Sequence, residues 1–345
     1  MIEIREMRPE EAQEVRKLGR KTFEPFESIF VPKPKACYVA VENEAIIGAV
    51  IYKYLLVVGK KIGYVDYIFV DKKAHGKGVG SQLVEICLKT MHEEGCDGLS
   101  AIVRDDNVAS WKMFMNSGMK RVGLDDLIKY FGFGGMLSLT FKTPLNFATG
   151  MEFYLDLDGD PPISRKENTW AQIILYLVLT MILLIPSFNR STKYGIYILL
   201  GVATVLSIRM AAGYLGTLFS KEDWHFRVTE GGYLIPVVTS FIGGIYLISG
   251  NWYPKTYRRG PEFKRSLGLT SFFQWLSLLL MVMLMQTPLG KIEFIDVLAS
   301  ISAMLMVVSA LPFYPLASFG GKRLFDWNKG LYALVLALTI YLVFL

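Results

Sequence analysis

The sequence predicts an α+β domain, a mixed sheet flanked by helices, followed by a multi-span α-helical membrane domain. Three observations carry that prediction. Hydrophobic residues make up 52% of the 345 residues and charged ones 20%, with a mean hydropathy of +0.36. That is too apolar for one soluble enzyme and too charged for a chain embedded throughout. The charge is also divided: residues 167–345 hold 14 Lys and Arg against 8 Asp and Glu, so they carry the entire net charge of +6. Finally, one glycine-rich strand-to-helix turn stands in the first part, and six apolar runs fill the second. A basic excess confined to the apolar part points to membrane topology and away from nucleic acid. Collagen-like, disordered and disulfide-framework classes are excluded.

In chain order, Ile2 and Ile4 alternate with Glu3 and Arg5 as a short strand. Pro9-Glu10-Glu11 opens an amphipathic helix to about Thr22, with acids in its first turn. Tyr38–Val41 and Ala45–Leu56 flank Glu42-Asn43-Glu44 and read as a hairpin. A third strand, Tyr64–Val70, runs into the glycine-rich turn, after which Gln82–His92 is helical. Leu99–Val103 reads as a strand, Val108–Met115 as a helix, and Lys120–Lys142 as two final strands. This places the α+β domain at 1–145, a polar, proline-broken linker at 146–168 and the membrane domain at 169–345. Cys37, Cys87 and Cys96 form an odd set without C-x-x-C spacing and read as reduced, packed thiols. The charged start, Met1 to Arg8, lacks the apolar core of a signal peptide, so the first domain is expected in the cytosol.

The chemistry sits at His75-Gly76-Lys77-Gly78-Val79-Gly80-Ser81. Closely spaced glycines let successive N–H groups point outward at the start of a helix, a nest that binds phosphate without side chains. Lys77 adds positive charge. The dinucleotide fingerprint fits poorly, because Ser81 stands where its third glycine would fall, and no Gly-Lys-Ser/Thr phosphate loop is present.

Ile68-Phe69-Val70, then His75 to Gly80, resembles the acyl-CoA signature of the Gcn5-related N-acetyltransferase (GNAT) family. Asn107-x-x-Ser110-x-x-Met113-Phe114-x-x-x-Gly118-Met119 resembles that family's second motif, in the right order and spacing. The resemblance covers residues 1 to about 142. It implies a GNAT-like mixed sheet and acetyl-CoA as co-substrate. Strand residues Ile68, Phe69 and Val70 would bond the pantetheine arm, the turn through Ser81 would cradle the pyrophosphate, and a helix capped by Asn107 and carrying Ser110 would lie along the thiol. Two positions depart from the family pattern. His75 replaces the usual Gln or Arg. Phe114 stands where many members carry the tyrosine that protonates the leaving thiolate, which phenylalanine cannot do. The family's base is an acid or bound water near the middle strands, and Asp66 is the candidate here, with a merely solvated carboxylate as the other reading.

Apolar runs at 170–188, 194–219, 233–250, 269–286, 294–311 and 330–345 have the length needed to cross a bilayer, and Trp170, Trp252, Trp275 and Trp327 sit near run ends. If all six crossed with the first domain inside, ten basic residues would fall outside and five inside, against the positive-inside rule. If 233–250 dips in and returns, twelve fall inside and three outside. Its glycines, Pro236 and β-branched residues suit a re-entrant segment, giving five spans plus that element, with six spans as the alternative. The layout resembles a degenerate, zinc-less site-2 protease. Met210-Ala211-Ala212-Gly213-Tyr214 stands where His-Glu-x-x-His would fall, and Gly320-Gly321 where an Asp-Gly ligand would. That half holds only His225 and no cysteine, so no metal site and no proteolysis are expected. Arg209 is expected to snorkel toward an interface, and Asp296 to lie near one.

These readings combine into a multi-pass protein of the cell membrane with a cytosolic N-terminal domain. It would transfer an acetyl group from acetyl-CoA to an amine acceptor, protein or small molecule, by direct attack. Its expected surroundings are the lipid bilayer and a client membrane protein. The alternative is a non-catalytic acyl-CoA sensor coupled to a proteolytically inactive membrane scaffold.

Overall fold

The computed structural model describes residues 2–23, 25–104, 107–143, 151–157, 168–186, 192–228, 234–242, 247–255, 260–313 and 316–344. The chain forms two compact units, Met1–Phe147 with Met151–Arg165, and Lys166–Leu345 with Ala148–Gly150.

The first unit is built on a seven-stranded sheet of order β1-β2-β3-β4-β5-β7-β6. Strands β1 (Ile2–Glu6), β2 (Ala36–Glu42), β3 (Ala45–Val57) and β4 (Lys60–Val70) form an antiparallel meander. The β2–β3 turn is Asn43-Glu44, both at positive φ, as the sequence indicates. Strand β5 (Gly98–Val103) runs parallel to β4. Helices α1 (Ala12–Thr22), α2 (Pro25–Ile29), α3 (Val79–Glu93), α4 (Val108–Asn116) and α5 (Leu124–Lys142) cover the sheet. Val50 and Tyr52 of β3 face Leu83, Cys87 and Met91 of α3 and Phe114 of α4. Ala49 and Ile51 alternate to the other face, against Val15 of α1, and further along that face Leu55 and Val57 meet Leu127, Phe131 and Leu139 of α5. All three cysteines are free and buried.

One region departs from the sequence reading. Only β6 (Lys120–Val122) is a strand where two were expected, and α5 follows it. Asp126 accepts a bond from the Gly123 N–H at 3.0 Å and starts that helix. Gly132, at φ 69, bends it, which hides its helical period in the sequence. The closing strand is β7 (Glu152–Leu157), inside the segment read as linker. It pairs with β5 on one side and β6 on the other. A central strand is apolar on both faces, so Phe153, Tyr154 and Leu155 run together without the alternation that marks a half-buried strand. The remainder of the predicted linker, 158–167, lies outside the described residues, as do Gly231, Gly232, Gly243, Gly244, Arg258 and Arg259 of the apolar second part.

The second unit holds α6 (Thr169–Leu184), α7 (Thr192–Thr217), α8 (Leu234–Phe241), α9 (Pro261–Leu284), α10 (Glu293–Ala310), α11 (Gly321–Trp327) and α12 (Lys329–Phe344). Three helices, Gly195–Thr217, Pro261–Leu284 and Glu293–Ala310, are long and apolar enough to cross a membrane, whereas α6 and α12 have 16 residues each. The run 233–250 contains the eight-residue α8. Strand β8 (Trp224–Val228) pairs antiparallel with β9 (Gly250–Pro254), and Val228 stands opposite Gly250. Both ends of the segment between them therefore lie side by side. Arg209 does not snorkel. It is wholly buried and donates to Gly250 O at 3.2 Å, Gln274 Oε1 at 3.3 Å and Phe319 O at 3.0 Å. The carbonyls that receive it come from distant segments, which the sequence around Arg209 does not reveal.

Candidate functional site

Strands β4 and β5 pair only from Ile62↔Gly98 to Val65↔Ala101. Beyond that point β4 stays bonded to β3 and β5 to β7, so the two facing edges separate into a wedge. A bulge marks the departure. Tyr52 pairs with Val65 and Ile51 with Tyr67, which leaves Asp66 as the extra residue. Bulges end pairing and re-aim side chains. The resulting pocket is lined by Asp66, Tyr67 and Ile68 on one side, Ile102 to Arg104 on the other, and Asn107, Ser110 and Phe114 of α4, with Phe23 and Glu27 at the α1–α2 end.

Among the described residues, two carboxylates line this wedge. Asp66 Oδ2 lies 3.2 Å from Lys53 Nζ, and its side chain is 18% exposed. Burial raises its pKa above the ordinary Asp value, with Lys53 opposing the shift. Glu27 Oε1 accepts from Arg104 Nη1 at 2.9 Å, both side chains being 11% exposed. Sequence reading identifies Asp66 from its place before the turn. It misses Glu27 and Arg104, which are 77 positions apart and meet only because α2 folds over the end of β5.

Of the three strand residues, Ile68 lines the wedge. The Phe69 side chain is buried on the opposite face with Val15 and Cys37, and Val70 packs against the α3 core. Their contribution to a ligand is thus through the backbone. After β4, Asp71 accepts from the Lys73 N–H at 2.9 Å, and His75 Nε2 lies 3.0 Å from Val70 O, pinning the turn to the strand end. Gly76 and Gly78 have φ 84 and 76, the left-handed region where glycine carries no Cβ penalty. A Cβ on Gly76 would meet nothing within 4 Å, so the backbone there is open to a ligand. Gln82 N–H to Gly78 O is the first bond of α3, at 3.2 Å. The amides of Val79, Gly80 and Ser81 therefore lack an intrahelical acceptor and add to the positive helix end. Lys77 Nζ is paired with Glu42 at 2.8 and 3.0 Å beside these amides. At α4, Asn107 Oδ1 accepts from the Ser110 N–H at 3.2 Å as a cap, and Phe114 is 2% exposed. Among the described residues no three His, Cys, Asp or Glu side chains converge as metal ligands would.

Comparison with known proteins finds relatives of the first unit. Residues 2–119 match the acetyltransferase (GNAT) family model. N-alpha-acetyltransferase 30 of Homo sapiens is 31% identical over 91 residues, which cover 26% of this chain and 25% of that protein. The protein of that name from Dictyostelium discoideum is 28% identical over 113 residues, 33% of this chain and 60% of its own length. The matched part is thus less than two thirds of either relative. Among solved structures, a GNAT-family acetyltransferase from Staphylococcus aureus aligns with a TM-score of 0.34 and 16% identity, over 46% of this chain and 99% of that one. By the family match over residues 2–119, the first unit carries a GNAT acetyltransferase domain.

Proposed function

We propose that this chain is a membrane-anchored N-acetyltransferase that transfers an acetyl group from acetyl-CoA to an amine, and that the acceptor is the N-terminal amine of a polypeptide. The observation that carries the reading is the wedge between β4 and β5, with an open glycine nest at one end and buried carboxylates along it. When bound, acetyl-CoA supplies an activated thioester. The amides of Val79, Gly80 and Ser81, with the backbone at Gly76 and Gly78, would hold its pyrophosphate. The free edge of Asp66–Ile68 offers backbone donors and acceptors to the pantetheine arm. Asn107 and Ser110 would lie beside the thiol end. Asp66 is the base: its burial makes it a better proton acceptor than an ordinary aspartate, and it takes the proton from the acceptor ammonium. Glu27, oriented by Arg104, attracts the same ammonium at the α1–α2 end. The acceptor class follows the name shared by the relatives, and the carboxylates of Asp66 and Glu27 in the wedge suit an ammonium.

Three long apolar helices support the anchoring. The side-by-side ends of the 229–249 segment support a dip into the bilayer that returns to its own side, hence five spans, with the first domain in the cytosol. The membrane part would serve as a proteolytically inactive scaffold that binds a client membrane protein.

Phe114 favours a second reading. A buried phenyl ring supplies no proton to a leaving thiolate, as in a sensor that binds acyl-CoA without turnover. Calorimetry and CoA release on the full chain test both. Wild type should bind acetyl-CoA and release CoA only when an amine is added. Gly78→Val, strained at φ 76 and blocking the nest, should weaken binding at least about 30-fold. Unchanged affinity in the folded variant would remove the acyl-CoA site. Binding without amine-dependent release would establish the sensor.

A further inference from the structure

Lys53 is the one charged residue of the long strand β3. Side chains alternate along a strand, and on the face that carries Lys53 both its neighbours, Ile51 and Leu55, are buried. An ammonium between two buried aliphatic side chains adds nothing to their packing. Its contacts lie across the ladder. Lys53 pairs with Tyr64 of β4, and its Nζ stands 5.0 Å from the centre of the Tyr64 ring. Asp66 lies two residues beyond Tyr64, on the diagonal from Lys53, a separation that a long side chain spans. The result is the 3.2 Å contact between Lys53 Nζ and Asp66 Oδ2. Asp66 lines the wedge and Lys53 does not, so the lysine can act on the reaction only through the carboxylate.

We propose that Lys53 is a positioning residue for acetyl transfer: its ammonium holds Asp66 by Oδ2 in the ionised form and leaves Oδ1 to take the proton from the acceptor amine. The proposal rests on the reading of Asp66 as the base. Among the described residues Oδ1 has no hydrogen-bond partner. A carboxylate in a cleft resists ionisation, and burial does raise the Asp66 pKa; the charge and hydrogen bond of Lys53 oppose that rise. The other titratable and charged groups around Asp66 do not replace the lysine. Tyr64 and Tyr67 of its own strand are phenols that burial keeps neutral. Glu27 of α2 and Arg104 at the end of β5 line the same wedge, but they are bonded to each other and their charges offset. Without Lys53 the effect of burial is unopposed, and Asp66 loses its proton, as a base must, only at higher pH.

The test follows amine-dependent CoA release by the full chain across pH, with a peptide N-terminus as acceptor. Wild type is compared with Lys53→Met, Lys53→Gln, Lys53→Arg and Asp66→Asn. Met and Gln keep a side chain beside Tyr64 without the charge, and Arg restores the charge; should one neutral variant fail to fold, the other carries the test. Expected in the neutral variants is a rising limb displaced upward by about one pH unit. On the limb kcat then falls roughly tenfold, above it the rate recovers, and acetyl-CoA affinity by calorimetry stays within about twofold of wild type. Lys53→Arg should keep the wild-type limb. A limb that stays in place without the charge, or a loss of rate equal at every pH, would overturn the role of Lys53 and leave Asp66 as the base. An Asp66→Asn enzyme that retains the wild-type limb would instead overturn the base reading and the role of Lys53 with it, as would the absence of release at any pH.

Discussion

Asp66 ends two regularities at once: it is the extra residue of the β3–β4 register and the first residue of β4 beyond its pairing with β5. Its carboxylate is thus held in a cleft that backbone pairing would otherwise close. Burial lifts its pKa, so the protonated form persists to higher pH than for a solvated aspartate, and a base works only when deprotonated. The rate should therefore rise with pH through a limb above the ordinary Asp range. Asp66→Asn should lower kcat by about 100-fold and abolish that limb, while acetyl-CoA affinity measured by calorimetry stays within about twofold. A full-rate Asp66→Asn enzyme with the limb intact would assign the base elsewhere. At this scale the glycine turn was legible because a nest needs residues that tolerate positive φ, and only a few do. The Glu27–Arg104 pair was not, because long-range partners leave no local pattern.

Among elements, α1 is tied to β1 by one carboxylate. Glu11 accepts from Arg5 Nη2 at 2.6 Å, Arg5 Nη1 at 2.9 Å and the Arg8 N–H at 2.8 Å. The Arg5 guanidinium holds its pKa down at about 2. A lowered carboxylate pKa stabilises the fold above the unfolded value of about 4.3, and that stabilisation is lost as pH falls from there toward 2. The pair is partly solvated, so its contribution is about 1 kcal/mol. Glu11→Gln should speed amide exchange in α1 by roughly fivefold at neutral pH, with the difference from wild type shrinking as the pH is lowered toward 2. A difference that persists unchanged at low pH would mean the carboxylate charge plays no part. Strand β1 was legible from alternation, β2 and β3 from the Glu42-Asn43-Glu44 turn between them, and β4 from the glycine-rich turn it runs into. Strand β7 and helix α5 were not: a strand buried on both faces does not alternate, and the glycines at 132, 134 and 135 interrupt the helical period.

For the whole molecule, charge count and strand pairing both support the five-span threading proposed for the second unit. The proposed five-span arrangement would keep twelve basic residues inside, and the β8–β9 pairing brings the two ends of the intervening segment together, as a dip that returns would. Glu262 and Lys291 are both exposed, and they exchange sides between five and six spans. In intact cells Glu262→Cys should resist a membrane-impermeant thiol reagent and Lys291→Cys should react. The opposite pattern would make 233–250 an ordinary crossing. Three of the apolar runs were legible as the long apolar helices Gly195–Thr217, Pro261–Leu284 and Glu293–Ala310. The buried anchorage of Arg209 was not, since it depends on carbonyls of β9 and the segment before α11.

The most direct test of acetyl transfer is amine-dependent release of CoA by the full chain, followed across pH for wild type and Asp66→Asn, with a panel of peptide N-termini, lysine, polyamine and aminosugar. The proposed function predicts release that requires an amine, is fastest with a peptide N-terminus, and gains rate with pH only when Asp66 is present. Tight binding of acetyl-CoA with no release on any amine would contradict it.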